Sequence, residues 1–428
     1  MHSILSKSTT FYKSLTQTLK CFNASEYHMK LEHDYGCHNY HPLPVVLASG
    51  SGIYVTDVEG KKYVDFLAAY SAVNQGHCHT KIQKAMSQQM KLLTLTSRAF
   101  YTNQLGLTEK YLCELFKYEK VLMMNSGVEA GESAIKIARR WAYDVKKVPD
   151  NHAKVIFAKG NFWGRTIAAC GSSDDPERYA RFGPFGGLNF TLVEYNDLNA
   201  LKQELESDKN VAAVMLEPIQ GERGVYIPAP GYMKQVKELC QKHNVLLIAD
   251  EIQTGLGRTG KLLACEYDGV KPDILLLGKA LSGGFYPVSA VLCDNHIMLN
   301  IKPGEHGSTY GGNALACAVT RTALDVLVGE KMVENSYKMG ELLLKGLKEI
   351  ATKRPFIRET RGRGLMCAVE MFEDFKTSAW DICLQLKDLG ILAKPTHSNI
   401  IRMTPPLVIK KSEVEKCVEI IGKALAKY

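Results

Sequence analysis

From about residue 80 to residue 310 the chain alternates short runs rich in Val, Ile and Leu with longer segments whose apolar residues recur at helical spacing. Continuous apolar strands separated by such segments make a mostly parallel sheet flanked by helices on both faces, an α/β fold. Strands are therefore expected over 120–124, 154–158, 210–216, 244–249 and 273–277. A helix is expected over 128–143, where Ile135, Ala138, Trp141 and Ala142 share a face and Glu132 precedes Lys136 by four residues. Residues 53–66, IYVTDVEGKKYVDF, read as a hairpin turning at Glu59-Gly60, within an N-terminal lobe over 31–79. The α/β body occupies 80–315. A long helical stretch then runs to Ile350, followed by the short strands IRETRGRG and LMCAVEM and a last helix, which together make a smaller α+β C-terminal domain over 316–428.

With 46% of its 428 residues apolar, the chain can bury a core that large. The formal charge of +8 comes from lysines and arginines scattered among acids, which argues against nucleic acid as a partner and favours small anionic substrates. No two of the twelve cysteines have CxxC spacing, so no metal site is expected, and unpaired thiols point to a reducing compartment. Apolar runs such as VLLIA and ILLLG fall well short of the roughly 18 to 20 residues of a membrane helix. The first 23 residues carry Lys7, Lys13 and Lys20, eight Ser or Thr and no acid, the composition of a mitochondrial transit segment; the absence of arginine leaves a plain polar tail of a cytoplasmic protein as the alternative. Residues 1–30 are set apart as that leader or tail, and the mitochondrial matrix is the expected location.

The window NVLLIADEIQTGLGRTGKLLACEYDGVKPDILLLGKALSGG carries the chemistry. It puts Asp250 at the carboxyl end of one buried strand and Lys279 just past the end of another, and strand ends of an open α/β sheet are where ligands bind. A lysine amine with lowered proton affinity can form a Schiff base with an aldehyde cofactor and later carry a proton. Pyridoxal 5'-phosphate (PLP) is such an aldehyde, and a carboxylate such as Asp250 favours the protonated ring nitrogen that makes it an electron sink. Taken singly, Asp250 could be a helix cap and Lys279 a solvated lysine. Together, with Ala-Leu-Ser-Gly-Gly after the lysine, they resemble the class-III aminotransferases, fold-type-I PLP-dependent transferases.

A phosphate seat is offered by KVLMMNSGVEAGESAIKIARR, where a strand, a turn at Ser126-Gly127 and a helix start line up backbone N–H groups for an anion. An ordinary capped turn would look the same. In GNFWGRT, Phe162 can lie against the pyridine ring, followed by Trp163 and Arg165. Further stretches, among them YGCHNYHPLPVVL, SAVNQGHCH, VAAVMLEPIQGE, PGEHGSTYGGN and LAKPTH, extend a resemblance to the ornithine aminotransferases from about Tyr35 to the C-terminus.

That resemblance implies roles. Gly127, Val128, Phe162, Gln253 and Lys279 would hold the cofactor, with Asp250 and Lys279 catalytic. Thr309 would reach the phosphate of a neighbouring subunit, making the active unit a homodimer or a higher homo-oligomer. Tyr40, Tyr70, Trp163 and Arg165 would line the substrate pocket, and Glu222 would pair with Arg402. The implied reaction moves the δ-amino group of L-ornithine to 2-oxoglutarate; acetylornithine and 4-aminobutyrate are the neighbouring alternatives. One departure stands out: the motif reads GERGV, where the family usually has Ala at the position of Arg223, and this arginine either competes for the Glu222 carboxylate or points to solvent without effect. A rival reading comes from GLGRTG at Gly255–Gly260, which spells the GxGxxG of dinucleotide-binding oxidoreductases but neither follows its strand directly nor opens a convincing helix.

Overall fold

The computed structural model describes residues 23–428, so residues 1–22 of the expected leader over 1–30 lie outside the described residues. Three strands open the fold: β1 (Leu47–Ser51), β2 (Tyr54–Asp57) and β3 (Lys62–Asp65). β2 and β3 pair antiparallel with Tyr54 opposite Val64, which is the expected hairpin; Gly60 supplies the positive φ its turn requires.

After β3 the backbone does something rare. Ala68, Ala69, Tyr70 and Ser71 have φ values of 48°, 47°, 59° and 74°, a full left-handed turn without a glycine. Left-handed backbone costs roughly 1–2 kcal/mol for each such residue. Nothing in FLAAYSAV announces it.

The main sheet contains β4 (Lys120–Met124), β5 (Lys154–Ala158), β6 (Phe190–Val193), β7 (Val211–Leu216), β8 (Leu246–Asp250), β9 (Ile274–Leu277) and β10 (Ser289–Cys293), in the order β4-β10-β9-β8-β7-β5-β6. β7, β8 and β9 are buried at every position, which is why their sequences run on without polar alternation. β6 and β10 were not among the expected strands. β10 runs antiparallel to both its neighbours. The eleven residues between β9 and β10 hold only a 3₁₀ turn, Lys279–Ser282, and a loop, too little chain for the crossover that a parallel pair demands. Because β4 and β9 are both antiparallel to β10, β4 runs the same way as β5 to β9, and all their carboxyl ends meet at one edge.

The C-terminal part starts with two helices, Ala314–Gly329 and Met332–Ala351, where one long stretch was expected; the left-handed Lys331 (φ 54°) breaks them. Then come β11 (Ile357–Arg363), β12 (Met366–Met371), β13 (Ile391–Leu392), β14 (Lys394–Thr396), β15 (Ile400–Met403) and the last helix, Lys411–Leu425. Four of these strands form a sheet in the order β11-β12-β15-β14. β13 instead pairs parallel with β3, Ile391 with Val64 and Leu392 with Asp65, and completes the N-terminal sheet. The expected N-terminal lobe and C-terminal domain therefore share a sheet. Among the described residues, no helix is long and apolar enough to cross a membrane.

Candidate active site

The shared strand edge is where the site is built. Asp250 is the last residue of β8, Glu217 follows β7 directly, and Lys279 comes two residues after β9. β5 leads into the GNFWG loop, and β4 into the helix Gly127–Asp144. Among the residues expected at the site, Gly127, Val128, Phe162, Trp163, Asp250, Gln253 and Lys279 line one cavity of about 230 Å³, joined by Gly164, Glu217 and Ile252.

Lys279 sits on strained backbone, with φ at 46°. Burial lowers the proton affinity of its amine, while the carboxylates of Glu222, Asp250 and Glu217 pull it part of the way back. Burial also pushes Asp250 up to about 6, against the N–H of Ile252, which donates to its Oδ1 at 3.0 Å, and the charge of Lys279. Glu217, which the sequence reading missed, is buried as well. It is pushed up to about 8 by desolvation, with the Asp250 charge adding to it, although Phe162 N–H donates to its Oε1 at 2.9 Å. At neutral pH the proton therefore rests on Glu217, and Asp250 carries the charge. A signal was present: the first Glu of EPIQGE stands at a strand end just as Asp250 does.

The cavity suits a flat, phosphorylated, nitrogen-containing ring. Among the described residues, the N–H groups of Gly127 and Val128 have no acceptor, because the capping carboxylate of Glu129 turns back to Ser126 N and Asn125 N (2.6 and 3.1 Å). Only one oxygen of Asp250 is bonded, and the buried Oε1 of Gln253 has no partner. Such orphaned polar atoms are what a polar ligand satisfies. Phe162 provides an aromatic wall, held by Arg178, whose guanidinium lies 4.8 Å from the ring centroid. Trp163 lines the cavity and is held by packing behind it: its Nε1 donates to Ser172 Oγ at 2.8 Å and its ring stacks on Phe157 at 5.8 Å.

Next to Lys279 lies an ion pair. Arg402 Nη1 on β15 donates to Glu222 Oε1 at 2.6 Å, and Gln253 Nε2 donates to the same oxygen at 3.2 Å. Burial alone would raise the Glu222 carboxyl, but the facing Arg402 brings it down to about 2. The Arg402 guanidinium lies 4.9 Å from the Tyr70 ring centroid, and its buried Nε lacks an acceptor. Arg165 is exposed near Phe162, and Tyr40 is 65% exposed beside Lys394. Thr309 is exposed and does not line the cavity; its neighbour Ser308 is tied to the end of β4 through Asn125 Nδ2 at 2.9 Å.

The surroundings of Arg223 and of GLGRTG decide two open readings. Arg223 does not compete for Glu222: its Nη1 donates to Gln220 Oε1 at 3.3 Å and its guanidinium lies 4.5 Å from the Tyr226 ring centroid, a stacked site that satisfies it elsewhere. GLGRTG folds as turns leading to a 3₁₀ turn, Ala264–Asp268, and opens no helix for a dinucleotide. Its Arg258 is buried and donates to Leu365 O, Pro405 O and Asn74 Oδ1 at 2.9, 2.6 and 2.6 Å, a structural brace.

Known proteins resemble this one throughout. The family "Aminotransferase class-III" matches residues 35–425. A Caenorhabditis elegans protein named probable ornithine aminotransferase, mitochondrial, is 60% identical, over 93% of this chain and 93% of its own. A Toxoplasma gondii ornithine aminotransferase, whose structure has PLP partially occupying the active site, superposes with a TM-score of 0.94 at 47% identity, covering 97% of both chains. An acetylornithine aminotransferase from Elizabethkingia anophelis superposes with a TM-score of 0.87 at 51% identity, covering 95% of this chain and all of the other. With a family match across nearly its whole length and relatives at these identities, this chain belongs to the class-III aminotransferases, PLP-dependent transaminases.

Proposed function

We propose that this enzyme moves the δ-amino group of L-ornithine to 2-oxoglutarate, releasing glutamate-5-semialdehyde, which cyclises to pyrroline-5-carboxylate, and L-glutamate. The observation that carries this reading is the Glu222–Arg402 pair beside Lys279. A guanidinium already engaged by a carboxylate is closed to the α-carboxylate of an incoming amino acid. An amine donor must then enter with its distal amine forward, leaving its α-end to Tyr40, Tyr70 and Arg165.

PLP, when bound, supplies an aldehyde that takes up amines and a ring that withdraws the electron pair left by a broken C–H bond. Gly127 and Val128 N–H groups fit its phosphate, Phe162 its ring face, Gln253 its phenolic oxygen and Asp250 its ring nitrogen. Asp250 can do this at neutral pH because the nearby Glu217 holds a proton in its place. Lys279, with its lowered proton affinity, is both the anchoring amine and the base for the proton on the substrate's δ-carbon. For the second substrate the ion pair opens, Arg402 takes the α-carboxylate of 2-oxoglutarate and Arg165 the distal one. The orphaned Nε of Arg402 is a ready donor for that step.

Thr309 is assigned to the phosphate of a partner copy, in a homodimer or larger assembly. Its surroundings support this: Tyr101 is 98% exposed, Leu92 78% and Phe100 70%, and this segment is joined to the one after Thr309 by Leu315 N–H donating to Thr94 O at 3.4 Å. Such an apolar surface suits a second copy. The leader composition and the mitochondrial naming of the nematode relative support the matrix as its location; a reporter fused to residues 1–30 that stays diffuse in the cytosol rejects it.

The test is turnover. Purified enzyme with ornithine and 2-oxoglutarate should yield pyrroline-5-carboxylate, faster than N-acetylornithine or 4-aminobutyrate reacts. Preference for N-acetylornithine or 4-aminobutyrate transfers the assignment to that substrate.

A further inference from the structure

We propose that Asp65 and His77 are positioning residues for substrate choice: together they hold the left-handed turn Ala68–Ser71 that carries Tyr70 to Arg402, and so set where the α-end of the amine donor rests. This rests on the reading above, in which Tyr70 faces that end of the substrate.

Four successive L-residues stay left-handed only if their surroundings over-determine them. Here the buried Asp65 does so from the end of β3. Its Oδ1 accepts the N–H of Leu67 at 2.8 Å and of Ala68 at 2.9 Å, and its Oδ2 lies 2.7 Å from His77 Nε2. With the carboxylate oxygen accepting, the imidazole is assigned as donor from Nε2. His77 is itself fixed, because it and Gly52 exchange backbone hydrogen bonds at 2.8 and 3.0 Å. A Cβ on Gly50 would come within 3.0 Å of the imidazole, so a glycine is what leaves the ring its place. From the other side, Thr404 N–H donates to Phe66 O at 2.8 Å and its hydroxyl to Leu67 O at 3.1 Å, and Thr404 follows β15, which bears Arg402. The turn and the arginine are thus built on one frame.

In the left-handed conformation the Tyr70 ring meets the guanidinium at 4.9 Å; a relaxed right-handed backbone would send its Cα–Cβ bond another way. Asp65 and His77 do not line the cavity, so they reach the substrate only through this turn.

The experiment is a double-mutant cycle on the PLP-loaded enzyme, with each half-reaction followed separately. Asp65→Ala and His77→Ala should each raise the KM for ornithine about tenfold and leave kcat within about twofold, and Asp65→Ala combined with Tyr70→Ala should be no worse than Tyr70→Ala alone. The half-reaction with 2-oxoglutarate, which uses the arginines, should be unchanged. Asp65→Asn, whose Oδ1 still accepts both N–H groups, should restore the KM to within about threefold. If Asp65→Ala does not fold, His77→Ala against His77→Gln reads the same contact. An unchanged KM, or additive effects of Asp65 and Tyr70, overturns the proposal. Wild-type turnover of ornithine is measured first; should the enzyme prefer another ω-amine, the function reading fails and the cycle is run with that amine, so the two failures are told apart.

Discussion

Glu217 and Asp250 continue the pairing of β7 with β8 by one residue beyond the last partnered pair, Leu216 and Ala249, which sets two carboxyl groups side by side on the wall of one cavity. Buried neighbours of like charge cannot both ionise cheaply, and here Glu217 is held at about 8 and Asp250 at about 6. Desolvation together with the Asp250 charge raises Glu217, so the acid that keeps its proton supports the one that loses it.

A dependence of stability on pH follows. The Glu217 carboxyl rises in the folded protein from its ordinary 4.5 to about 8, so its contribution is fully present below pH 4.5 and is lost as pH climbs through 8. Glu217→Gln keeps the neutral side chain and should flatten the fall in Tm of the PLP-free enzyme between pH 5 and 8, each kcal/mol being worth about 1 °C in a chain this long. Parallel Tm curves for the two proteins count against the assignment.

Removing the anchoring amine should end catalysis. Lys279→Ala is expected to lower turnover by at least about 10²–10⁴-fold, the usual weight of a lost general base. Mass spectrometry after borohydride reduction should find a pyridoxyl adduct on Lys279 in the wild type and none in the variant. An adduct on a different lysine in the wild type would move the active centre.

Gly221 stands where no side chain fits. A Cβ built there falls 1.4 Å from Gln253 Oε1, so Gly221→Ala must drive the amide off its place. The variant should fold and reproduce Gln253→Ala in cofactor affinity, measured by fluorescence titration with PLP. Wild-type affinity would mean that Gln253 does not contribute.

Substrate choice should depend on Glu222 and not on its neighbour. Glu222→Ala frees Arg402 and should lower the preference for ornithine over glutamate by about tenfold or more, a coupling on the order of 1–2 kcal/mol. Arg223→Ala, removing a side chain engaged with Gln220 and Tyr226, should leave that preference unchanged.

Much of this architecture could be read from the residues. β7, β8 and β9 are legible because strands buried on both faces leave no polar alternation, and Asp250 and Lys279 because their strand ends are abrupt. β10 was missed because SAVLC follows its neighbour without a crossover helix, and direction in a sheet is a matter of connection length rather than of composition. Glu217 was missed although EPIQGE sets it at a strand end as IADE sets Asp250; only the fold shows that it is buried beside that second acid. The left-handed turn at Tyr70 was invisible for a related reason: its residues do not favour that backbone, and Asp65, His77 and Thr404 impose it from 3, 6 and 333 or more residues away in sequence terms of Ala68 to Ser71.

The closing strand of the N-terminal sheet has a bearing on biosynthesis. Because β13 completes a sheet begun at residue 47, a ribosome must translate past residue 392 before β3 finds its second neighbour. Until then the nascent polypeptide carries an open strand edge, an invitation to wrong partners that chaperones must shield. Truncations before that point are therefore expected to aggregate and not to yield a smaller working protein.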